Sequence, residues 1–104
     1  MQPLTLKIID IISRIPAGKV VTYGQVAAMA GNHRAARQVS RVLHSCSGKY
    51  NLPWQRVIGS QGKITIPKDQ PGHQLQKKKL QSEGIQFGLG DTIDLSIYQW
   101  SGSD

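Results

Sequence analysis

The sequence predicts a mainly α-helical domain with a small β-hairpin, of the winged helix-turn-helix type. Apolar residues recur every three or four positions in several segments, which is the spacing of one face of a helix. Two β-branched runs flank the glycine-containing stretch 59–62, which is typical of a hairpin with a tight turn. A chain of 104 residues has room for one core, so we expect a single domain over residues 1–104.

The first element is predicted to be an amphipathic helix. Pro3 suits a first helical turn, and Pro16 and Gly18 end the helix. The apolar residues between them recur at helical spacing: Leu4, Ile8, Ile11, Ile12 and Ile15. The following run, 19–23, is β-branched and aromatic, but it is too short to distinguish a strand from an extended linker.

Two short helices, predicted over about residues 24–46, form a helix-turn-helix. The first, 25–30, is closed by Gly31, and the second spans 33–45. At about 100° per residue, the second helix has an apolar side and a basic side. The basic side carries Arg34, Arg37, Arg41 and His44. We favour a nucleic-acid contact over an ordinary solvated helix face, because the three arginines lie in register on the second helix with small alanines beside them.

The remaining chain is predicted to alternate loops with short elements. A loop over 47–53 precedes the hairpin at 56–66, and a polar loop over 67–72 precedes a weakly amphipathic helix over 74–82. Residues 85–104 form an acidic tail whose apolar side chains are expected to dock on the body of the domain.

Charge is distributed unevenly along the chain. Residues 1–50 carry seven basic residues and one acidic residue, a net charge of +6. Residues 51–104 carry six basic and five acidic residues, a net charge of +1. This asymmetry suggests a polyanionic partner for one face, of which nucleic acid is the commonest, with ordinary solubility charge as the alternative.

Composition excludes several classes of protein. The single cysteine excludes an intrachain disulfide framework and a multi-cysteine metal cluster. No apolar run approaches the roughly 18 to 20 residues of a membrane span, and no signal-peptide pattern is present. We therefore expect a cytoplasmic protein with no membrane partner.

The residues themselves offer little chemistry for an enzyme. Cys46 falls on the apolar side of the predicted second helix, which favours a buried structural thiol. His33, His44 and His73 show no metal-ligand spacing, and no phosphate-binding glycine loop is present. We expect no metal and no cofactor.

The segment around Trp54 is unusual. This tryptophan follows Pro53 at the start of a hydrophobic run. It could fill the core, or it could act as an aromatic platform for a nucleobase, where stacking is worth about 1–3 kcal/mol.

At these residues the sequence resembles the DNA-binding, active-site domain of the O6-alkylguanine-DNA alkyltransferases, over about residues 15–84. Residues 15–24 resemble the segment that leads into the family's helix-turn-helix. The stretch 35–39, Ala-Ala-Arg-Gln-Val, resembles its recognition helix, with the arginine finger at Arg37. Residues 53–57, Pro-Trp-Gln-Arg-Val, resemble the active-site motif Pro-Cys-His-Arg-Val, and Glu83 matches the glutamate of the closing helix.

The departure from the motif bears on function. Trp54 stands at the position of the acceptor cysteine, and Gln55 at that of the activating histidine. An indole cannot act as a thiolate nucleophile, and an amide cannot relay a proton. Residual transfer through Cys46 is disfavoured, because this thiol lies eight residues upstream on another element. The pattern resembles the alkyltransferase-like proteins, in which tryptophan commonly occupies the cysteine position.

That resemblance implies a non-enzymatic DNA damage sensor. It would bind double-stranded DNA containing O6-alkylguanine through the minor groove, flip the base without alkyl transfer and flag it for nucleotide excision repair proteins. It would act as a cytoplasmic monomer, associated with the nucleoid in a prokaryote. The alternative is a small winged-helix transcription factor with no lesion preference.

The resemblance also assigns roles to individual residues. The implied DNA-binding residues are Tyr23, Arg34, Ala35, Ala36, Arg37, Arg41 and Ser60. Tyr23, Trp54 and Val57 would line the lesion pocket with the loop 60–71, and the Val57 carbonyl would accept the guanine amino group. Tyr23 would also press on the adjoining phosphate, and Gln55 could accept a hydrogen bond from the network of Glu83.

Overall fold

The computed structural model describes residues 2–103 and confirms the mainly helical fold class with small strand pairs. The helices are α1 (Pro3–Ser13), α2 (Tyr23–Met29), α3 (Ala36–Tyr50), α4 (Pro71–Ser82) and α5 (Leu95–Tyr98). The strands are β1 (Val21–Thr22), β2 (Val57–Ile58), β3 (Phe87–Gly88) and β4 (Thr92–Ile93), and 3₁₀ turns span Trp54–Arg56 and Leu89–Asp91. Within residues 2–103 no helix combines the length and the apolar character that a membrane span requires.

The main core lies where α1 packs against the helix-turn-helix. The apolar face predicted for α1 is buried, with Ile8 and Ile12 completely inaccessible to solvent. It meets Val26 of α2 and Val39 and Val42 of α3, which are also buried. Spacing of three and four residues therefore predicted correctly which sides of α1 and α3 face the core.

The two helices of the helix-turn-helix begin and end at other residues than predicted. α2 begins at Tyr23 because Thr22 forms a capping box: its Oγ1 accepts from Gln25 N–H at 3.0 Å, and its own N–H donates to Gln25 Oε1 at 3.4 Å. α3 begins at Ala36 and not at residue 33, so Arg34 lies in the preceding turn. It continues to Tyr50, so the first four residues of the loop predicted over 47–53 are helical.

The predicted hairpin at 56–66 is wrong. β2 pairs in parallel with β1, with Val21 opposite Val57 and Thr22 opposite Ile58. The glycine turn does form, since Gly59 N–H donates to the carbonyl of Lys63 at 2.8 Å, but residues 63–66 form no strand. A β-branched run predicts a strand without identifying its partner, and here the partner is β1.

The hairpin of this fold lies in the C-terminal tail instead. β3 and β4 are antiparallel, with Phe87 opposite Ile93. Gly62 anchors the hairpin to the preceding turn: its carbonyl accepts from Ile93 N–H at 2.8 Å. Its φ is +77°, and a Cβ atom at this position would collide with the Ile93 carbonyl oxygen, so the contact requires glycine.

The docking of the tail on the body is confirmed. Val20 N–H donates to the Tyr98 carbonyl at 2.9 Å, and Trp100 N–H donates to the Val20 carbonyl at 2.8 Å. Asp91 pairs with Lys77 at 2.8 Å, so this acidic residue is part of the folded structure. Asp104 lies outside the described residues.

The helix predicted over 74–82 begins earlier, at Pro71, a residue type suited to a first helical turn. Residues 71–72 therefore belong to α4 and not to the polar loop predicted before it.

Candidate nucleic-acid interface

The outer face of α3 is basic and exposed. Arg37, Arg41 and His44 follow one another at intervals of four and three residues along the helix, and all three are exposed. Arg34 is exposed in the preceding turn, where its N–H donates to Asn32 Oδ1 at 3.1 Å. Among residues 2–103, no carboxylate forms an ion pair with these arginines. Their charge is therefore available to a polyanion.

The two alanines beside this face differ in position. Ala36 is partly buried at the start of α3, whereas Ala35 is buried with its side chain in the core cluster. Ala35 precedes the helix and its carbonyl accepts from Val39 N–H at 3.1 Å. The side chain of Ala35 thus belongs to the core, and the implied DNA-binding roles of Ala35 and Ala36 stay predictions.

A cavity of about 510 Å³, here called the α3 cavity, opens beside the basic face. One side of it is a single stripe of α3: Ser40, Leu43, His44 and Ser47. The opposite side is the segment that follows β2: Thr65, Ile66, Pro67 and Gln70. Arg37 precedes Ser40 by about one helical turn, so the cavity adjoins the basic face. Its volume is within the range of small-molecule sites.

Tyr23 and Trp54 complete the cavity wall. The Tyr23 hydroxyl lies 3.1 Å from Thr65 Oγ1 and so links α2 to the opposite side. Trp54 begins a 3₁₀ turn and is only partly buried. Of the two interpretations of this tryptophan, core filler or exposed platform, the structure favours the platform.

Two of the predicted site residues are not part of this wall. Val57 is buried in β2, and its carbonyl accepts from Gln76 Nε2 at 3.2 Å. Ser60 is exposed and borders a different depression, beside the hairpin residues Gly88 and Thr92. Val57 and Ser60 therefore do not line the α3 cavity, and their implied roles in binding stay predictions.

Sequence analysis missed several wall residues. The spacing of Ser40, Leu43, His44 and Ser47 is itself helical and could have identified them as one stripe. Gln76 gives no such signal, because a glutamine on a weakly amphipathic helix usually lies in solvent. Here it is 3% exposed, and its Nε2 donates to the carbonyls of Gln55 at 3.0 Å and Val57 at 3.2 Å.

A charged network lies next to Trp54. Glu83, just after α4, accepts from Arg56 Nε and Nη2, each at 3.0 Å, and from Gln55 Nε2 at 2.8 Å. Gly18 N–H donates to the same carboxylate at 3.3 Å, and Arg56 Nη1 donates to the Ile15 carbonyl at 2.7 Å. The suggestion that Gln55 accepts a hydrogen bond here is corrected, because its amide donates.

This network sets the ionisation of Glu83. Partial burial raises the pKa of its carboxyl, but the hydrogen bonds from Arg56, Gln55 and Gly18 together outweigh burial. The pKa of Glu83 is therefore lowered, and the carboxylate is held in its charged form.

The thiol of Cys46 lies outside the cavity wall. Cys46 packs against the main core, as its place on the apolar side of the helix predicted, but the thiol that was expected to be buried is partly exposed. Its Sγ is 3.6 Å from Ser45 Oγ. Among the described residues, no three His, Cys, Asp or Glu side chains come together in a way that could ligate a metal ion.

A helix-turn-helix with a basic second helix beside a cavity is the architecture of a small helical DNA-binding domain of the alkyltransferase fold. Residues 3–85 match the family described as "6-O-methylguanine DNA methyltransferase, DNA binding domain", and the chain belongs to this family.

The similar proteins identify the branch of the family. A DNA base-flipping protein of Vibrio parahaemolyticus is 42% identical over 102 residues, covering 96% of this chain and 98% of that protein. Alkyltransferase-like protein 1 of Schizosaccharomyces pombe is 36% identical over 104 residues, covering 96% of both. The crystal structure of S. pombe Atl1 in complex with damaged DNA containing O6-carboxymethylguanine aligns with a TM-score of 0.85 at 33% identity, covering 97% of both chains. The resemblance to alkyltransferase-like proteins is thus confirmed.

Proposed function

We propose that this protein binds duplex DNA from the minor groove through α3, turns an O6-alkylguanine out of the base stack into the α3 cavity, and leaves the alkyl group in place. One observation carries the proposal. The cavity beside the basic face of α3 has Trp54 in its wall. The resemblance of residues 53–57 to the alkyltransferase motif puts this tryptophan where that motif has its thiol.

The approach to DNA is electrostatic. The formal net charge of +7 and the arginines Arg34, Arg37 and Arg41, which pair with no carboxylate of residues 2–103, attract the phosphate backbone and release its counterions. The S. pombe relative was crystallised with damaged DNA, which supports DNA as the partner of this chain also.

Base flipping requires a residue that replaces the base and a surface that receives it. Arg37 lies at the exposed start of α3, where its side chain can fill the gap in the stack. Flipping costs a few kcal/mol, and less for a damaged pair, which provides part of the selectivity. Stacking of the flipped base on Trp54 offsets much of this cost. Tyr23, on the same wall, presses on the adjoining phosphate.

The absence of alkyl transfer is supported by the surroundings of Trp54. No thiol belongs to the cavity wall as described, since Cys46 packs against the core instead. Glu83 is held by Arg56 and Gln55, and an amide at position 55 cannot take a proton from a nucleophile. The complex with DNA would therefore be reversible, and its lifetime would signal the lesion to other proteins.

We further propose that nucleotide excision repair proteins recognise this complex, and that the protein acts as a cytoplasmic monomer.

The test compares two duplexes that differ at one base, guanine or O6-methylguanine, by fluorescence anisotropy at one stated salt concentration. We expect at least about tenfold tighter binding of the lesion, equivalent to about 1.4 kcal/mol. Equal affinity for both duplexes would refute the lesion-sensor proposal and support the winged-helix transcription factor. Intact-mass measurement of the protein after incubation tests transfer separately, because a methyl adduct would overturn the non-enzymatic part alone.

A further inference from the structure

The end of the C-terminal tail contacts both ends of α2. At the first turn of this helix, Gln25 Nε2 donates to the Trp100 carbonyl at 2.5 Å, and Gln99 Nε2 donates to Gln25 Oε1 at 2.8 Å. At the last residue of the helix, Met29 lies against Gly102, where an added Cβ atom would come within 2.7 Å of Met29 Cε. Residues 99–102 therefore follow α2 from its start to its end.

The tail is itself held firmly at this point. Trp100 is only 2% exposed and packs in the main core. Its N–H donates to the Val20 carbonyl at 2.8 Å, directly before β1. The carbonyl that Gln25 binds therefore has a defined position, and this hydrogen bond ties the first turn of α2 to the core.

Gln25 joins the tail to the cap of α2. Its Oε1 accepts from Thr22 N–H, as part of the capping box, and also from Gln99 Nε2. A glutamate at this position could accept both bonds, because capping boxes use either residue type. Only glutamine can in addition donate to the Trp100 carbonyl, since a carboxylate has no N–H. One substitution therefore separates the bond to the tail from the cap.

Tyr23 lies between the two capping residues, as the first residue of α2. Its side chain lines the α3 cavity, and its hydroxyl lies 3.1 Å from Thr65 Oγ1. The next residue is Gly24, and glycine is the poorest helix former after proline. The first turn of α2 therefore depends on its cap, and the placement of Tyr23 in the cavity wall depends on Gln25.

We propose that Gln25 is a positioning residue of the lesion site: it transmits the docking of the tail to Tyr23, and this link determines how well the α3 cavity holds a flipped base. The inference rests on the proposed function, because the placement of Tyr23 matters in this way only if the base enters the α3 cavity. Gln25 does not line that cavity, so it acts through Tyr23 and not by touching the base.

The experiment compares the unmodified protein with three variants, Gln25→Glu, Gln99→Ala and Gln74→Glu. Gln25→Glu keeps both accepted bonds and removes the donor bond to the tail. Gln99→Ala removes one tail bond from an exposed side chain and leaves the cap unaltered, so it should not disturb folding. Gln74→Glu is the charge control, because it adds the same negative charge at an exposed position of α4 that is not in the cavity wall.

Two quantities are measured for each protein. Fluorescence anisotropy gives the affinities for the O6-methylguanine and guanine duplexes, and the ratio of these affinities is the lesion preference. In a second set of duplexes, 2-aminopurine beside the lesion fluoresces more strongly when its neighbour leaves the stack. Its fluorescence at saturating protein reports base flipping independently of affinity, and a merely structural role of Gln25 would leave it unchanged.

We expect Gln25→Glu to lower the lesion preference by about threefold to tenfold and to reduce the 2-aminopurine signal at saturation, as for the loss of one hydrogen bond. Gln99→Ala should lower the preference by about twofold, whereas Gln74→Glu should keep it. If Gln25→Glu and Gln99→Ala match Gln74→Glu, or lose affinity equally for both duplexes, the positioning role is overturned and the proposed function stands. A lack of lesion preference in the unmodified protein would instead refute the proposed function.

Discussion

Arg56 and Glu83 are joined by two parallel hydrogen bonds, from Nε to Oε1 and from Nη2 to Oε2, both at 3.0 Å. The pair connects the end of α4 to the 3₁₀ turn that begins with Trp54. Because Arg56 also donates to the Ile15 carbonyl, the residues after α1 join the same point. The position of the Trp54 backbone therefore depends on a salt bridge that lies between three elements.

The first prediction concerns the contribution of this salt bridge to stability. The side chains of Arg56 and Glu83 are only 18% and 12% exposed. Glu83→Gln therefore leaves the charge of Arg56 without its partner in a largely buried position. We expect the free energy of unfolding to fall by about 1–3 kcal/mol, as for a partly buried charge left unpaired. Urea unfolding followed by circular dichroism measures this change.

Asp10→Asn is the matched control, because it breaks the exposed pair of Asp10 with Arg14 on α1, whose side chains are 67% and 50% exposed. Exposed pairs of this kind contribute little, so we expect a loss of at most about 0.5 kcal/mol. Equal losses in the two variants would contradict the structural role of Glu83.

The second prediction is a dependence of stability on pH. The pKa of Glu83 in the folded protein lies below its ordinary value of 4.5. As the pH falls, the Glu83 carboxyl of the unfolded chain is therefore protonated at a higher pH than that of the folded protein. The free energy of unfolding consequently rises with pH between the folded-state and unfolded-state pKa values of Glu83. The contribution of Glu83 is complete above about pH 5 and is lost as pH falls through the folded-state pKa.

Unfolding free energies of the unmodified protein and of Glu83→Gln, measured between about pH 3 and pH 6, test this prediction. The difference between the two should shrink as the pH falls. A constant difference over this range would show that ionisation of Glu83 does not contribute.

The sequence identified what is periodic or local, and it missed what depends on distant pairing. The buried faces of α1 and α3 followed from residue spacing. The start of α2 could also have been predicted from the sequence, since Thr22 and Gln25 form the Thr-x-x-Gln pattern of a capping box. The parallel pairing of β1 with β2 could not be predicted, because each strand has only two residues and no turn connects them.

The residues of the candidate site likewise fall into those that the sequence identified and those that it missed. Arg37 and Trp54 were identifiable by helical spacing and by an unusual motif, respectively. Gln76 could not be predicted, since its hydrogen bonds to the carbonyls of Gln55 and Val57 arise only when α4 packs on the 3₁₀ turn. One of those bonds occupies the Val57 carbonyl, which the resemblance had assigned to the guanine amino group.

The third prediction concerns Arg37. Under the proposed function, its replacement by alanine removes a positive charge from the helix that contacts DNA and also the group that fills the gap in the stack. We expect about tenfold weaker binding to lesion and undamaged duplexes alike, with the salt slope reduced by about one. Arg14→Ala removes the same charge from α1 and should have a much smaller effect. A selective loss of lesion binding would contradict a role of Arg37 in general DNA contact.

The fourth prediction concerns Trp54. Under the proposed function, Trp54→Ala removes the surface on which the flipped base stacks, and such stacking is worth about 1–3 kcal/mol per base. We therefore expect affinity for the O6-methylguanine duplex to fall by roughly 5- to 100-fold, while affinity for undamaged duplex changes little. Trp54→Phe retains an aromatic face and should keep most of the preference. An unchanged preference in the alanine variant would mean that Trp54 only fills space.

The last prediction is that Trp54→Cys does not restore alkyl transfer. A thiol becomes a nucleophile as its thiolate, which needs a neighbouring base or positive charge. The neighbour at position 55 is an amide, and its Nε2 donates to Glu83 at 2.8 Å, so it cannot take a proton. Arg56 lies close by, but its guanidinium is neutralised by the same carboxylate. After incubation with an O6-methylguanine duplex, intact-mass measurement of W54C should therefore show no added methyl group. A methylated protein would mean that the cavity alone activates a thiol, and that the indole of Trp54 is what prevents transfer in the natural chain.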